Sequence, residues 1–114
     1  MKTPTSLATF LLTAAMVAPL HAQDAGDPRH GLSLARQVCF ECHAIQPQQL
    51  LSPNPRAPTF PQLAATPGMT TAALTVALTT PHAGMPMFRL SSEQREDIIA
   101  YILSLRSSNS TPGK

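Results

Sequence analysis

The sequence predicts an all-α domain in which three main helices and a long proline-rich loop gather around a centre the polypeptide does not supply. Three observations point there. Segments with helical spacing and recognisable start signals recur at 27–38, 70–78 and 91–106, whereas no stretch alternates persuasively as a strand and no internal repeat is present. Twelve prolines and five glycines impose long irregular stretches. Four Phe, one Tyr and no Trp leave few large side chains for a core, so something else is expected to fill the interior. At 114 residues, against about 150 per domain, the chain holds one domain and no multi-domain enzyme.

The elements follow in chain order. Residues 1–22 carry one cation, Lys2, an apolar run from Leu7 to Ala18, then Pro19 and the small residue Ala22. This reads as a secretory signal peptide cut after Ala22, because the apolar run is shorter than the about 20 residues a spanning helix needs. Residues 23–106 form the domain. Asp27-Pro28 supplies an N-cap and a proline at the first helical position, opening a helix through Gly31, Leu34, Ala35 and Val38 that delivers Cys39. Between Ala44 and Pro67 six prolines enforce a wrapped loop. A second helix starts at Thr70 or Thr71, passes through Leu74 and Leu78, and stops before Pro81, with Gly84 marking another turn. The last helix opens with a Ser91/Gln94 capping box and the acids Glu93, Glu96 and Asp97, and its apolar face is Ile98, Tyr101, Ile102 and Leu105. Residues 107–114 read as a polar, frayed tail.

Eight Lys+Arg against six Asp+Glu leave a net charge of +2, with the cations scattered singly, which excludes a nucleic-acid footprint. Chemistry concentrates in Cys39-Phe-Glu-Cys42-His43, the C-x-x-C-H attachment signature of c-type haem. Two thiols about one helical turn apart can each form a thioether with a haem vinyl group, and His43 can then offer a ring nitrogen to the iron. An exported chain would ordinarily oxidise such a pair to a disulfide. A zinc site lacks its second ligand cluster here, and a thioredoxin-like pair lacks its strand-helix units.

For the sixth iron position the sequence offers Met85, in a Met-Pro pair in the turn between two helices. Met87 and His82 are the competitors; a second imidazole would lower the potential relative to a thioether. Phe40, Phe60, Phe88 and Tyr101 are expected to line the core around the ring. Arg56 and Arg89 are candidates for pairing with haem propionates. No role follows for His30 or His21.

With these residues in place, 27–106 resembles the small bacterial class I cytochromes c, the monohaem cytochrome c family. The parts come in the family's order: Gly31, Cys39, Cys42, His43, Pro58, Met85, Pro86 and Tyr101. The resemblance implies a cytochrome c-like fold around one covalent haem c, with His43 and Met85 as axial ligands of its iron. It implies that Gly31 lets the first and last helices cross closely against Ile98 and Tyr101. It also implies that the Pro58 carbonyl accepts a hydrogen bond from the other ring nitrogen of His43, with Pro55 and Pro61 as competing choices. Ala35 departs from the family, which often has an aromatic there.

The expected protein is a periplasmic electron carrier with His/Met ligation, not an enzyme, monomeric, and without a small-molecule substrate. Its partners would be periplasmic redox proteins: a dehydrogenase, an oxidase or a respiratory complex. The alternatives are a cytochrome subunit of a periplasmic dehydrogenase or oxidase complex, and a ligand-binding or peroxidatic haem protein with an open sixth position.

Overall fold

The structure, a computed structural model, describes residues 26–108. The expected signal peptide and the end of the expected tail lie outside them. Four helices follow in order: α1 (Pro28–Val38), α2 (Phe60–Ala65), α3 (Thr71–Thr79) and α4 (Ser92–Ser108). Among the described residues there is no strand, only an isolated bridge between His82 and Met85. None of the helices is long and apolar enough to cross a membrane.

The helix starts have local causes. The Asp27 carboxylate accepts from the Arg29 N–H at 2.8 Å, with Pro28 at the first helical position. Thr70 caps α3 by accepting from the Ala73 N–H at 3.2 Å. At α4 the Gln94 N–H donates to Ser91 Oγ at 3.1 Å and the Ser91 N–H donates to Gln94 Oε1 at 3.0 Å.

Helix α2 interrupts the segment expected to be all loop. The same reciprocal box builds it: the Gln62 N–H donates to Thr59 Oγ1 at 3.1 Å and the Thr59 N–H donates to Gln62 Oε1 at 2.8 Å. Pro61 falls in its first turn, where a missing N–H costs nothing. A proline that reads as a breaker inside a helix is a starter at its beginning. At the other end, α4 includes Ser107 and Ser108, two residues into the expected tail.

Helix α4 is the common floor, packed against by α1, α2 and α3. Ile98, Ile99, Tyr101, Ile102 and Leu105 are buried on it, meeting Ala35 of α1, Phe60 and Ala64 of α2, and Leu74 of α3. Gly31 stands where α1 touches α4. A Cβ there would collide with the Asp97 carbonyl and the Tyr101 Cβ, so the close approach is to Asp97 and Tyr101, not to Ile98. Ala35 has no exposed surface at this crossing.

Side chains of α4 also reach outward to hold loops. The Tyr101 hydroxyl donates to the Ile45 carbonyl at 2.6 Å. Arg106 donates from Nε to the Ala64 carbonyl at 2.9 Å and from Nη2 to the Met69 carbonyl at 2.6 Å, which fastens the α2–α3 connection.

Candidate haem site

The site begins where α1 ends. The Cys39 N–H still donates to the Ala35 carbonyl at 2.9 Å, and the next turn closes with the Cys42 and His43 N–H groups both donating to the Cys39 carbonyl, at 3.2 and 2.9 Å. The chain thus continues as one tight turn, carrying both cysteines and the histidine together. Cys39 is buried and Cys42 half-buried, and no disulfide joins them. Before attachment, burial, with a smaller contribution from Cys42, pushes the Cys39 thiol up to about 11. Phe40, expected in the core, is instead 48% exposed, because the turn that directs Cys39 inward sends its neighbour out.

The loop after the motif is held by point contacts. Ser52 Oγ accepts from the Ala44 N–H at 3.0 Å, Gln49 Oε1 from the Ile45 N–H at 2.9 Å, and the Cys42 carbonyl accepts from the Asn54 N–H at 3.2 Å. Phe60 N–H donates to the Ala44 carbonyl at 2.9 Å, bringing the start of α2 against the motif. The Pro58 carbonyl consequently lies 2.7 Å from His43 Nδ1. With Nδ1–H donating there, Nε2 keeps its lone pair for a ligand. The Phe60 ring packs 5.6 Å from the imidazole and 6.2 Å from the Tyr101 ring, linking His43 through α2 to α4.

The second wall comes from the segment between α3 and α4. Gly84, at φ +82°, closes the turn in which the Met85 N–H approaches the His82 carbonyl at 3.4 Å. His82 Nδ1 lies 3.2 Å from the Thr80 carbonyl. Met85 and His82 line one cleft of about 360 Å³ together with Cys39, Cys42, His43 and Pro58. Met87 is 51% exposed and lies outside that lining, and Phe88 is half-buried within it. Arg56 reaches the rim, whereas Arg89 does not.

A cleft of this size falls within the about 300–1,000 Å³ of cofactor sites. Its donors are two thiols, an imidazole oriented by a carbonyl, and a thioether, a set that suits an iron porphyrin attached by two bonds. Sequence reasoning missed α2 and the anchors Gln49, Ser52 and Asn54. The available signal was the T-x-x-Q box and the polar residues interleaved with prolines just after the motif.

A family model described as "Cytochrome C oxidase, cbb3-type, subunit III" matches residues 26–102, a span that contains the whole site. The chain belongs to this family of c-type cytochromes. The "Cytochrome c-552" of Bradyrhizobium diazoefficiens is 38% identical over 82 residues, covering 72% of this chain and 78% of that protein. No solved structure matches the chain. The cytochrome is thus a small monohaem c-type protein of all-α fold, and its cofactor is covalently bound haem c with iron. Proteins of this kind carry electrons to redox protein partners and are usually exported.

Proposed function

We propose that this cytochrome is a periplasmic electron carrier, cut after Ala22, in which Cys39 and Cys42 hold the haem by thioethers and His43 and Met85 are its axial ligands. The observation that carries the reading is the single cleft lined by both the C-x-x-C-H turn and Met85. When bound, the haem supplies reversible one-electron exchange. The chain's own residues set the conditions for it. Pro58 holds His43 in the tautomer that presents Nε2 and fixes the ring's direction. The Met85 thioether, a softer and weaker donor than a second imidazole, favours the reduced state and raises the potential. Pro86 and Phe88 add apolar lining that keeps water from the site. With His43 and Met85 both given to the iron, no position would be left for a substrate, which favours a carrier over an enzyme.

The test is the visible and near-infrared spectrum of the periplasmically matured protein, oxidised and reduced. Thioether haem bands together with a methionine-to-ferric-iron charge-transfer band are expected, with the latter lost in Met85→Ala and kept in Met87→Ala. Haem bands without the methionine band, or carbon monoxide binding by the reduced protein at neutral pH, would overturn His/Met ligation in favour of an open or different sixth position.

A second reading, a cytochrome subunit of an oxidase, is favoured by the description of the matching family. Its haem chemistry is the same. Purification from native membranes separates the two: a subunit leaves with a larger catalytic chain, a carrier leaves alone.

A further inference from the structure

His43, Ala44 and Ile45 are consecutive, and each is tied to a different part of the fold. His43 Nδ1 lies 2.7 Å from the Pro58 carbonyl, the Ala44 carbonyl accepts from the Phe60 N–H at 2.9 Å, and the Ile45 carbonyl accepts from the Tyr101 hydroxyl at 2.6 Å. The rings of these elements lie in a row. Phe60 stands 5.6 Å from the His43 imidazole at a tilt of 52°, and 6.2 Å from the Tyr101 ring at a tilt of 54°. Both separations fall within the about 4.5–7 Å over which tilted aromatic pairs attract. Phe60 and Tyr101 are buried, at 3% and 6% exposure. The row is therefore pinned at both ends by backbone carbonyls, with Phe60 clamped in the middle.

The bond to Pro58 does not by itself orient the imidazole. It selects the tautomer and the direction of Nδ1, but a hydrogen bond keeps its strength over a broad range of angles. The last side-chain torsion of histidine is broad as well, so the chain's own preferences leave the ring free to swing. A flat apolar face packed against the imidazole removes that freedom, and Phe60 supplies one.

We infer that Phe60, backed by Tyr101, is a positioning residue that fixes the plane of the His43 imidazole and thereby the electronic asymmetry His43 imposes on its iron. The inference rests on the axial role proposed for His43. The π orbital of an imidazole lies perpendicular to its plane, so the plane's direction decides which metal d orbital the ligand raises and how unpaired spin spreads over the oxidised haem. A swung ring also misaligns Nδ1–H with the Pro58 carbonyl, which makes His43 a poorer donor to ferric iron and raises the potential. A leucine of similar bulk would fill the space at Phe60 without offering a flat face. Removing the Tyr101 hydroxyl would free the far end of the row while keeping its ring.

The experiment compares the matured holoprotein with Phe60→Leu, Tyr101→Phe and a control, Leu74→Val, on α3, which packs on α4 and not on α2. The readings are the hyperfine-shifted haem methyl resonances of the oxidised protein by proton NMR, the exchange rate of the His43 ring N–H, and the reduction potential. Phe60→Leu is expected to redistribute the methyl shifts, speed the ring N–H exchange about tenfold and raise the potential, with Tyr101→Phe moving all three the same way but less. Leu74→Val lowers the denaturant midpoint and leaves all three unchanged. An unchanged methyl pattern and exchange rate in either stack variant that matures overturns the inference, as do equal changes in Leu74→Val, and the two rings are then core packing alone. If the His43 ring protons of the unsubstituted protein carry no hyperfine shift, His43 is not on the iron, and the inference falls together with the proposed axial ligation.

Discussion

The side where α1 crosses α4 and the side that forms the cleft are held in different ways. At the crossing, Gly31 and Ala35 let two helices meet closely over Asp97 and Tyr101, and packing is joined by the Asp27 N–H donating to the Asp97 carboxylate at 2.6 Å. At the cleft, residues 42–58 and 81–90 include no regular element, and single hydrogen bonds from Gln49, Ser52, Asn54 and Pro58 stand in for packing. One side is specified by protein meeting protein. The other is a wall shaped for a cofactor, and it has nothing of its own to close on.

The largest break in this comparison is removal of the attachment points. The double variant Cys39→Ala/Cys42→Ala is expected to lose haem and with it the cooperative fold, read as the disappearance of a sigmoidal thermal transition and of near-ultraviolet circular dichroism. A dispersed, cooperatively melting apoprotein would show that the crossing alone suffices. Gly31→Ala attacks the crossing instead: the added methyl meets the Asp97 carbonyl and Tyr101, forcing the helices apart at a cost of about 1–3 kcal/mol, measured as a lower denaturant midpoint of the holoprotein.

Tyr101→Phe tests the link between the two sides. It removes the buried hydroxyl that donates to the Ile45 carbonyl at 2.6 Å and is expected to cost about 1–2 kcal/mol, with faster amide exchange in the loop after the motif.

The smallest effect belongs to the rim of the crossing. The Arg29 guanidinium, and then its backbone N–H, hold the Asp27 carboxyl below its ordinary value of 3.8, at about 2. A depressed carboxyl stabilises the fold above its ordinary value and ceases to as pH falls through the folded one. Asp27→Asn, which keeps the cap without the charge, is therefore expected to flatten a shallow stability loss between about pH 4 and pH 2 in acid titrations followed by circular dichroism.

Much of this molecule is written in short-range signals. The Asp27, Thr70 and Ser91/Gln94 starts are readable because a cap and its partner sit within three residues of one another. The spacing of Cys39, Cys42 and His43 is readable for the same reason: attachment needs them on one turn. Even α2 obeys a local rule, the Thr59/Gln62 box, which was obscured by counting prolines without regard to their position in the turn.

Other features depend on chain segments that sequence proximity does not connect. Which proline faces His43 depends on α2 docking beside Ala44, which brings in Pro58 from fifteen residues along the chain. That Met85 and His82 line the cleft while Met87 stands in solvent follows from where the turn at Gly84 falls, and that Arg56 reaches the rim follows from the loop that Asn54 ties to the Cys42 carbonyl. Gly31 likewise meets Asp97 only because of the angle at which two helices pack. The sequence therefore settles the chemistry and the helix boundaries, since both arise within one turn of chain. The assignment of partners to each group waits for packing, because several near-identical neighbours compete for every place and long-range geometry alone separates them.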